Sequence, residues 1–93
     1  MSAAGPAFSL EMTSSSELRV YTTQTCGQCW SLKAWLTREQ IAFREIQIED
    51  DPEARRFVRE AAGGQMSVPT VILPDGRALI EPTPAQVRAA LGA

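Results

Sequence analysis

Two cysteines, Cys26 and Cys29, are the residues of this chain whose type and spacing best fit a chemical role. A C-x-x-C pair closes a loop too short to remove much entropy from the unfolded chain, so it is a weak structural cross-link. A small secreted domain would instead scatter several cysteines to staple its loops. The pair is therefore predicted to perform thiol–disulfide exchange, in which a thiolate attacks a disulfide sulfur.

The sequence contains no histidine. This excludes a Cys–His catalytic pair and any histidine-containing metal site within one chain. The two thiolates of one chain make only half of a tetrahedral metal site, so we predict no metal-ligating residues. We also predict no bound cofactor.

The residues around the pair predict the start of a helix. Thr25 and Gln28 match a capping box, with Thr25 as the N-cap. Apolar residues then recur at helical spacing at Leu32, Trp35 and Leu36. This places Cys26 at the first helical position and Cys29 one turn further in.

The helix start gives the two cysteines different expected roles. Unpartnered N–H groups and the helix dipole should stabilise a thiolate at Cys26 and lower its pKa below the ~8.5 of a free cysteine. Cys29, on the apolar side of the helix, should be more buried. We predict that Cys26 attacks the substrate and that Cys29 then attacks Cys26 to release the product. Gly27 leaves room for a substrate, and Lys33 is predicted to be solvated.

Other elements must position this helix. Alternating β-prone residues predict a strand at Leu18–Thr22, and a second strand is predicted from Ile41 to Ile48. One helix links the two strands, so they should be parallel in a right-handed βαβ unit. Asp51-Pro52 then predicts the N-cap and first position of an amphipathic helix that ends at Gly63-Gly64.

The remaining segments predict a hairpin and a last helix. The strands Thr70–Leu73 and Ala78–Ile80 flank the turn Pro74-Asp75-Gly76. Thr83 and Gln86 supply a second capping box, and Gly92 ends that helix. The predicted order is β-α-β-α-β-β-α, an α/β thioredoxin fold with a four-stranded mixed sheet flanked by three helices.

Length and composition fit one small domain. The chain has 93 residues, a net charge of −2 and a pI of about 5.0. We expect the domain at residues 17–93, after a flexible tail at residues 1–16. The absence of a basic block argues against nucleic acid as a partner. No apolar run is long enough for a membrane span, and the N-terminus lacks a signal pattern, so we expect a cytoplasmic protein. We also expect it to be a monomer.

Several motifs together resemble the glutaredoxins, and most closely the mycoredoxin branch. The similar segments are Y-T-T-Q-T-C-G-Q-C at 21–29, A-G-G at 62–64, S-V-P-T at 67–70 and P-D-G at 74–76. One C-x-x-C is a weak signal, but its combination with V-P-T before a later strand is specific. The resemblance covers residues 18 to about 91.

The resemblance implies a substrate and a binding mode. It implies that Cys26 reduces mixed disulfides between proteins and a low-molecular-weight thiol, with Pro69 in the cis form facing the cysteines. The backbone of Val68 would pair with an extended substrate. The residues predicted to bind substrate are Thr25, Gly27, Gln28, Val68, Pro69 and Thr83.

The sequence also departs from the family. The usual Lys before the cysteines is replaced by Thr23-Gln24, the Arg before T-V-P by Gln65-Met66, and the G-G-x-D segment by residues 81–84. The last helix should still offer free N–H groups to a carboxylate beside Thr83. A low-molecular-weight thiol is the expected co-substrate, and the electron source is left open between glutathione, mycothiol, bacillithiol and a protein reductase.

Three other functions compete with this interpretation. One is a redoxin that thioredoxin reductase recharges and that donates electrons to ribonucleotide reductase. Another is a metal-binding protein in which two chains pool four thiolates around zinc or hold an iron–sulfur cluster with glutathione. The third is a non-catalytic redox sensor.

Overall fold

The computed structural model describes residues 17–92, and its elements follow the predicted order. The strands are β1 Leu18–Thr22, β2 Phe43–Gln47, β3 Thr70–Ile72 and β4 Ala78–Ile80, and the helices are α1 Gly27–Arg38, α2 Pro52–Ala61 and α3 Pro84–Leu91. The predicted tail at residues 1–16 lies outside the described residues. No helix within the described range is both long and apolar enough to cross a membrane.

Strand β2 is shorter than predicted. The N–H of Ile41 donates to the carbonyl of Leu36 at 2.9 Å, so Ile41 closes the end of α1 instead of opening a strand. Gln40, just before it, has a φ of 60°. The apolar run from Ile41 therefore begins in the connection that turns the chain from α1 into the sheet.

The four strands form one mixed sheet in the order β2-β1-β3-β4. Strands β1 and β2 are parallel, and β3 is antiparallel to both β1 and β4. Val20 at the centre of β1 pairs with Glu45 of β2 on one side and with Val71 of β3 on the other. This arrangement confirms the predicted βαβ unit followed by a hairpin.

Helices cover both faces of the sheet because side chains of a strand alternate between them. On one face the buried residues are Leu18, Val20, Leu32, Leu36, Val71, Leu73 and Val87, which join the sheet to α1 and α3. On the other face they are Tyr21, Ile48, Ala54, Val58 and Ile72, which join it to α2. These two cores confirm the thioredoxin fold.

Local capping fixes where α2 and α3 begin. Asp51 accepts a hydrogen bond from the N–H of Ala54 at 3.0 Å, with Pro52 in the first turn, as predicted. Thr83 and Gln86 form the predicted reciprocal capping box. The N-termini of α1 and α3 then lie close together, since residues from both line one cleft.

Candidate active site

Cys26 and Cys29 form a disulfide at the N-terminus of α1. Cys26 is itself the N-cap, with φ −87° and ψ 108°. Its carbonyl accepts the N–H of Trp30 at 3.2 Å, the first bond of the helix. Its Sγ accepts the N–H of Cys29 at 3.0 Å. A cysteine sulfur therefore occupies the position that an Asp or Ser oxygen usually takes at a helix start.

The prediction that Thr25 caps this helix is wrong. The helix begins at Gly27, one residue later than predicted, so Thr25 precedes the cap. Thr25 is exposed and makes no hydrogen bond within residues 17–92. The T-x-x-Q pattern suggested a cap because cysteine is not among the residues preferred there, although its sulfur accepts the amide here.

The two cysteines differ in exposure as predicted. Cys26 is half-buried, whereas Cys29 is 0% exposed and contributes to the buried side of α1. A substrate disulfide approaching from solvent can thus reach the Cys26 sulfur first. Cys29 is reachable only through Cys26, because its own surface is covered.

In the reduced protein, we expect the pKa of Cys26 to lie below the ~8.5 of a free cysteine. The thiolate would accept the Cys29 N–H and face the positive end of the α1 dipole, and both favour its charged form. The measurement is a pH titration of thiolate ultraviolet absorbance in a Cys29→Ser variant, where only Cys26 titrates and the backbone donor remains. A midpoint at or above the free-cysteine value would contradict the helix-terminus argument.

The segment before β3 faces the disulfide. The Val68–Pro69 peptide bond is cis, as the family resemblance implied. The Val68 carbonyl oxygen lies 3.8 Å from the Sγ of Cys26. The Thr70 hydroxyl donates to the Ser67 carbonyl at 2.7 Å, and this bond bridges the two ends of the segment. No group within residues 17–92 pairs with the N–H of Val68, so that donor is free.

A cleft of about 420 Å³ runs beside the cysteines. It is lined by Gly27, Gln28, Ser31, Leu32, Pro82, Thr83 and Pro84. The structure therefore brings together three of the predicted substrate-binding residues, Gly27, Gln28 and Thr83. Val68 and Pro69 lie outside this lining, and the Val68 carbonyl oxygen approaches the Cys26 sulfur instead.

The expected carboxylate site at the start of α3 is largely absent. The N–H of Thr83 donates to the Gln86 side chain at 2.8 Å, and the N–H of Gln86 donates to the Thr83 hydroxyl at 3.2 Å. Pro84 has no N–H. Of these first-turn donors, only the N–H of Ala85 is without a partner in the part of the chain described. The capping box that begins the helix thus consumes the groups expected to bind an anion.

Glu45 ties the end of β1 to α1, a role that the sequence analysis missed. Its carboxylate accepts the Thr22 hydroxyl at 2.8 Å and the Lys33 ammonium at 2.7 Å. The hydrogen bond from Lys33 holds the pKa of Glu45 below its usual value. Lys33 is therefore not solvated as predicted. Spacing alone gave no signal, because the pair joins a helix to an edge strand.

Glu49 holds the loop before the cysteines and was also missed. Its carboxylate accepts the backbone N–H of Gln24 at 3.1 Å. Arg55 of α2 donates to the carbonyl oxygens of Ile48 and Glu49 at 2.9 and 2.6 Å. The connection after β2 thereby supports the loop that leads into α1.

Metal ligands are sparse in this region. Within residues 17–92, no group of three or more His, Cys, Asp or Glu side chains could hold a metal ion. One chain supplies two thiolates at the site. The arrangement of the described residues is thus that of a dithiol–disulfide pair beside an open groove.

Comparisons with known proteins agree with this architecture. A family model described as Glutaredoxin matches residues 18–78. A protein of Mycobacterium tuberculosis H37Rv whose name places it among the glutaredoxins is 43% identical over 74 residues, covering 80% of this chain and 88% of that protein. The glutaredoxin-like protein NrdH of Lactococcus lactis MG1363 is 47% identical over 34 residues, covering 37% of this chain and 47% of its own. The solved glutaredoxin of Methanosarcina mazei superposes with a TM-score of 0.72 at 25% identity, covering 85% and 81% of the two chains.

Proposed function

The chain belongs to the glutaredoxin family, and from this premise we propose that it reduces mixed disulfides between proteins and a low-molecular-weight thiol. The observation that carries the proposal is the Cys26 sulfur. It is half-buried, caps α1, accepts the Cys29 N–H at 3.0 Å and lies beside the Val68 carbonyl. Such a dithiol needs a reducing compartment to turn over, which fits a protein acting in the cytoplasm.

The proposed reaction has two exchange steps. The Cys26 thiolate attacks one sulfur of the substrate disulfide, forms a mixed disulfide and expels the other sulfur as a thiolate. The Cys29 thiolate then attacks the Cys26 sulfur, forms the Cys26–Cys29 disulfide and releases the second thiolate. Two electrons pass from the protein to the substrate, and an external thiol or reductase restores the dithiol.

The groove supports an extended substrate. The N–H of Val68, which has no partner among residues 17–92, and its carbonyl oxygen, 3.8 Å from the Cys26 sulfur, give one donor and one acceptor on the same residue. A peptide chain adds to such a backbone edge as a strand would, which aligns its disulfide with the nucleophile. Gly27 has nothing within 4 Å of where a Cβ would lie, so the substrate can approach the helix start closely.

The site favours a small thiol without carboxylates, such as mycothiol, over glutathione. The cleft lining contains no charged side chain, and the capping box of Thr83 and Gln86 occupies most of the donors at the start of α3. A carboxylate placed there would lose water hydrogen bonds and regain few in exchange. Bacillithiol and glutathione are alternative electron donors, and the experiment below compares them with mycothiol.

A redoxin recharged by thioredoxin reductase and donating electrons to ribonucleotide reductase is the second candidate. The match to the Lactococcus protein NrdH supports it, although that match covers 37% of this chain. The poor carboxylate site is compatible with it as well, because a protein reductase needs no small-thiol pocket. The two candidates share the chemistry of Cys26 and differ only in the electron donor.

The test compares electron donors. Oxidised protein is mixed with NADPH and thioredoxin reductase, or with NADPH and mycothiol, glutathione or bacillithiol plus the matching reductase, and NADPH oxidation is followed with a mixed-disulfide substrate. We expect turnover with mycothiol to exceed turnover with glutathione by at least about tenfold, since the lost contacts to a carboxylate are each worth ~1 kcal/mol or more. Turnover with thioredoxin reductase alone would move the protein to the redoxin class.

A further inference from the structure

Glu81 carries the single charge on the three segments that meet at the cysteines. Residues 23–28 and 65–69 contain no Asp, Glu, Lys or Arg, and residues 81–84 contain only Glu81. The segments are in contact, because the Val68 carbonyl lies 3.8 Å from the Cys26 sulfur and the N–H of Glu81 donates to the Pro69 carbonyl at 2.8 Å. Glu81 is therefore bonded through its backbone to the residue after Val68 and directly precedes Pro82, which lines the cleft, and its exposed side chain lies at the edge of the proposed substrate groove.

The backbone does not explain why this residue is a glutamate. Glu81 has a φ of 50°, a conformation that glycine, asparagine and aspartate adopt more readily. Its N–H bond to Pro69 is available to any residue other than proline. Its side chain is exposed and forms no hydrogen bond or ion pair with residues 17–92. What distinguishes glutamate at this position is its unneutralised carboxylate.

No cation within residues 17–92 forms an ion pair with Glu81. Lys33 is paired with Glu45, and Arg55 lies against the backbone carbonyls beside Glu49, which is itself a carboxylate next to Gln24. The positive end of α1 acts on the Cys26 sulfur and falls off within one helical turn. Among the described residues, the Glu81 carboxylate therefore keeps a negative charge that no ion pair neutralises.

We propose that Glu81 is a specificity-determining residue that disfavours disulfides with anionic groups next to the sulfur and favours neutral or cationic ones. The inference rests on the proposed exchange reaction. In the first step, Cys26 attacks R–S–S–R, forms Cys26–S–S–R and expels R–S⁻. In the second, Cys29 attacks Cys26 and expels the other R–S⁻. The carboxylate of Glu81 raises the free energy of an anionic R group on approach and in the mixed disulfide.

The experiment uses three small disulfides of similar size and different charge. Reduced protein is mixed with the disulfides of mercaptoethanol, cysteamine or mercaptopropionate, and formation of the Cys26–Cys29 disulfide is followed by acid quench and mass spectrometry. Each rate is divided by the rate of dithiothreitol with the same disulfide, which removes differences in intrinsic reactivity. We expect the anionic disulfide to react about fivefold more slowly than the neutral one, and added salt to compress the difference.

Variants separate Glu81 from overall charge. Glu81→Gln should bring the anionic and neutral rates together, and Glu81→Lys should invert their order. Glu39→Gln is the matched control, because it makes the same change in net charge at the far end of α1, about 20 Å along the helix from Cys26. It should leave the ratio unchanged.

The outcomes distinguish this inference from the proposed function. Failure to reduce any of the three disulfides would remove the exchange reaction itself. Reduction of all three at equal normalised rates by the unmodified protein would overturn the role of Glu81 and leave the exchange reaction standing. An equal response of the ratio to Glu81→Gln and Glu39→Gln would also overturn it, since the effect would then follow net charge.

Discussion

A Cys26→Ser variant is expected to lose disulfide exchange, with turnover falling by more than about 1,000-fold, as when other enzymes lose their nucleophile. A serine hydroxyl stays protonated at neutral pH, so it supplies no anion to attack a disulfide. The remaining thiol, Cys29, is 0% exposed, so it cannot take over the first step. The measurement is NADPH-coupled turnover with a mixed-disulfide substrate.

Cys29→Ser is the matched variant for this experiment. It keeps the Cys26 sulfur and also the backbone N–H of residue 29, which hydrogen-bonds that sulfur at 3.0 Å. The first step should proceed, and the mixed disulfide on Cys26 should accumulate until an external thiol removes it. Mass spectrometry after challenge with an oxidised small thiol should show one adduct on Cys29→Ser and none on Cys26→Ser. An adduct on Cys29 in the latter protein would reverse the two assignments.

The order of elements could be predicted because each boundary has a local chemical signal. Asp51 followed by proline starts α2, and Thr83 with Gln86 starts α3 through side chains only three residues apart. The turn at 74–76 joins two short apolar strands. These signals depend on residues that are neighbours in the sequence, so tertiary packing does not alter them.

The predictions that were wrong concern which partner a side chain or backbone N–H takes. Thr25 fits a capping motif, but the sulfur of Cys26 takes that place one residue later. Lys33 has no acidic neighbour at helical spacing, and its partner Glu45 comes from the adjacent strand. Thr83 was correctly identified as a cap, yet the same interaction removes the donors that a carboxylate would need. Only the Lys33–Glu45 pair depends on tertiary structure, whereas the other two outcomes depend on which of several neighbouring groups takes a given hydrogen bond.

The site itself depends both on local sequence signals and on contacts between residues far apart in the chain. The cysteine spacing, combined with V-P-T before a later strand, predicted the cysteine pair that forms the disulfide of the structure. The approach of Val68 to Cys26 joins residues 42 positions apart, and only the resemblance to a family anticipated it. The hydrogen bond from the Glu81 N–H to the Pro69 carbonyl, which brings Glu81 to this segment, was not predicted from the sequence. Contacts between residues far apart in sequence are thus harder to predict than a motif of four consecutive residues.

Leu36→Ala is expected to destabilise the reduced protein by about 3 kcal/mol, within the range for buried leucines. Leu36 is 0% exposed in the core between the sheet, α1 and α3, so its removal leaves a cavity that rigid neighbours fill poorly. A domain of this size has only about 5–15 kcal/mol to lose, so the folded population falls measurably. The measurement is urea unfolding of wild type and variant, both fully reduced to keep the disulfide from contributing.

Thr37→Ala provides the comparison for this variant, because Thr37 is the next residue on α1 and is exposed. Its loss of stability should stay within about 0.5 kcal/mol. The urea dependence should keep its slope, since each variant exposes nearly the same surface on unfolding. A loss below about 1 kcal/mol for Leu36→Ala would mean that α1 is not anchored through this core. The rigidity of its N-terminus, and with it the fixed position of Cys26, would then need another source.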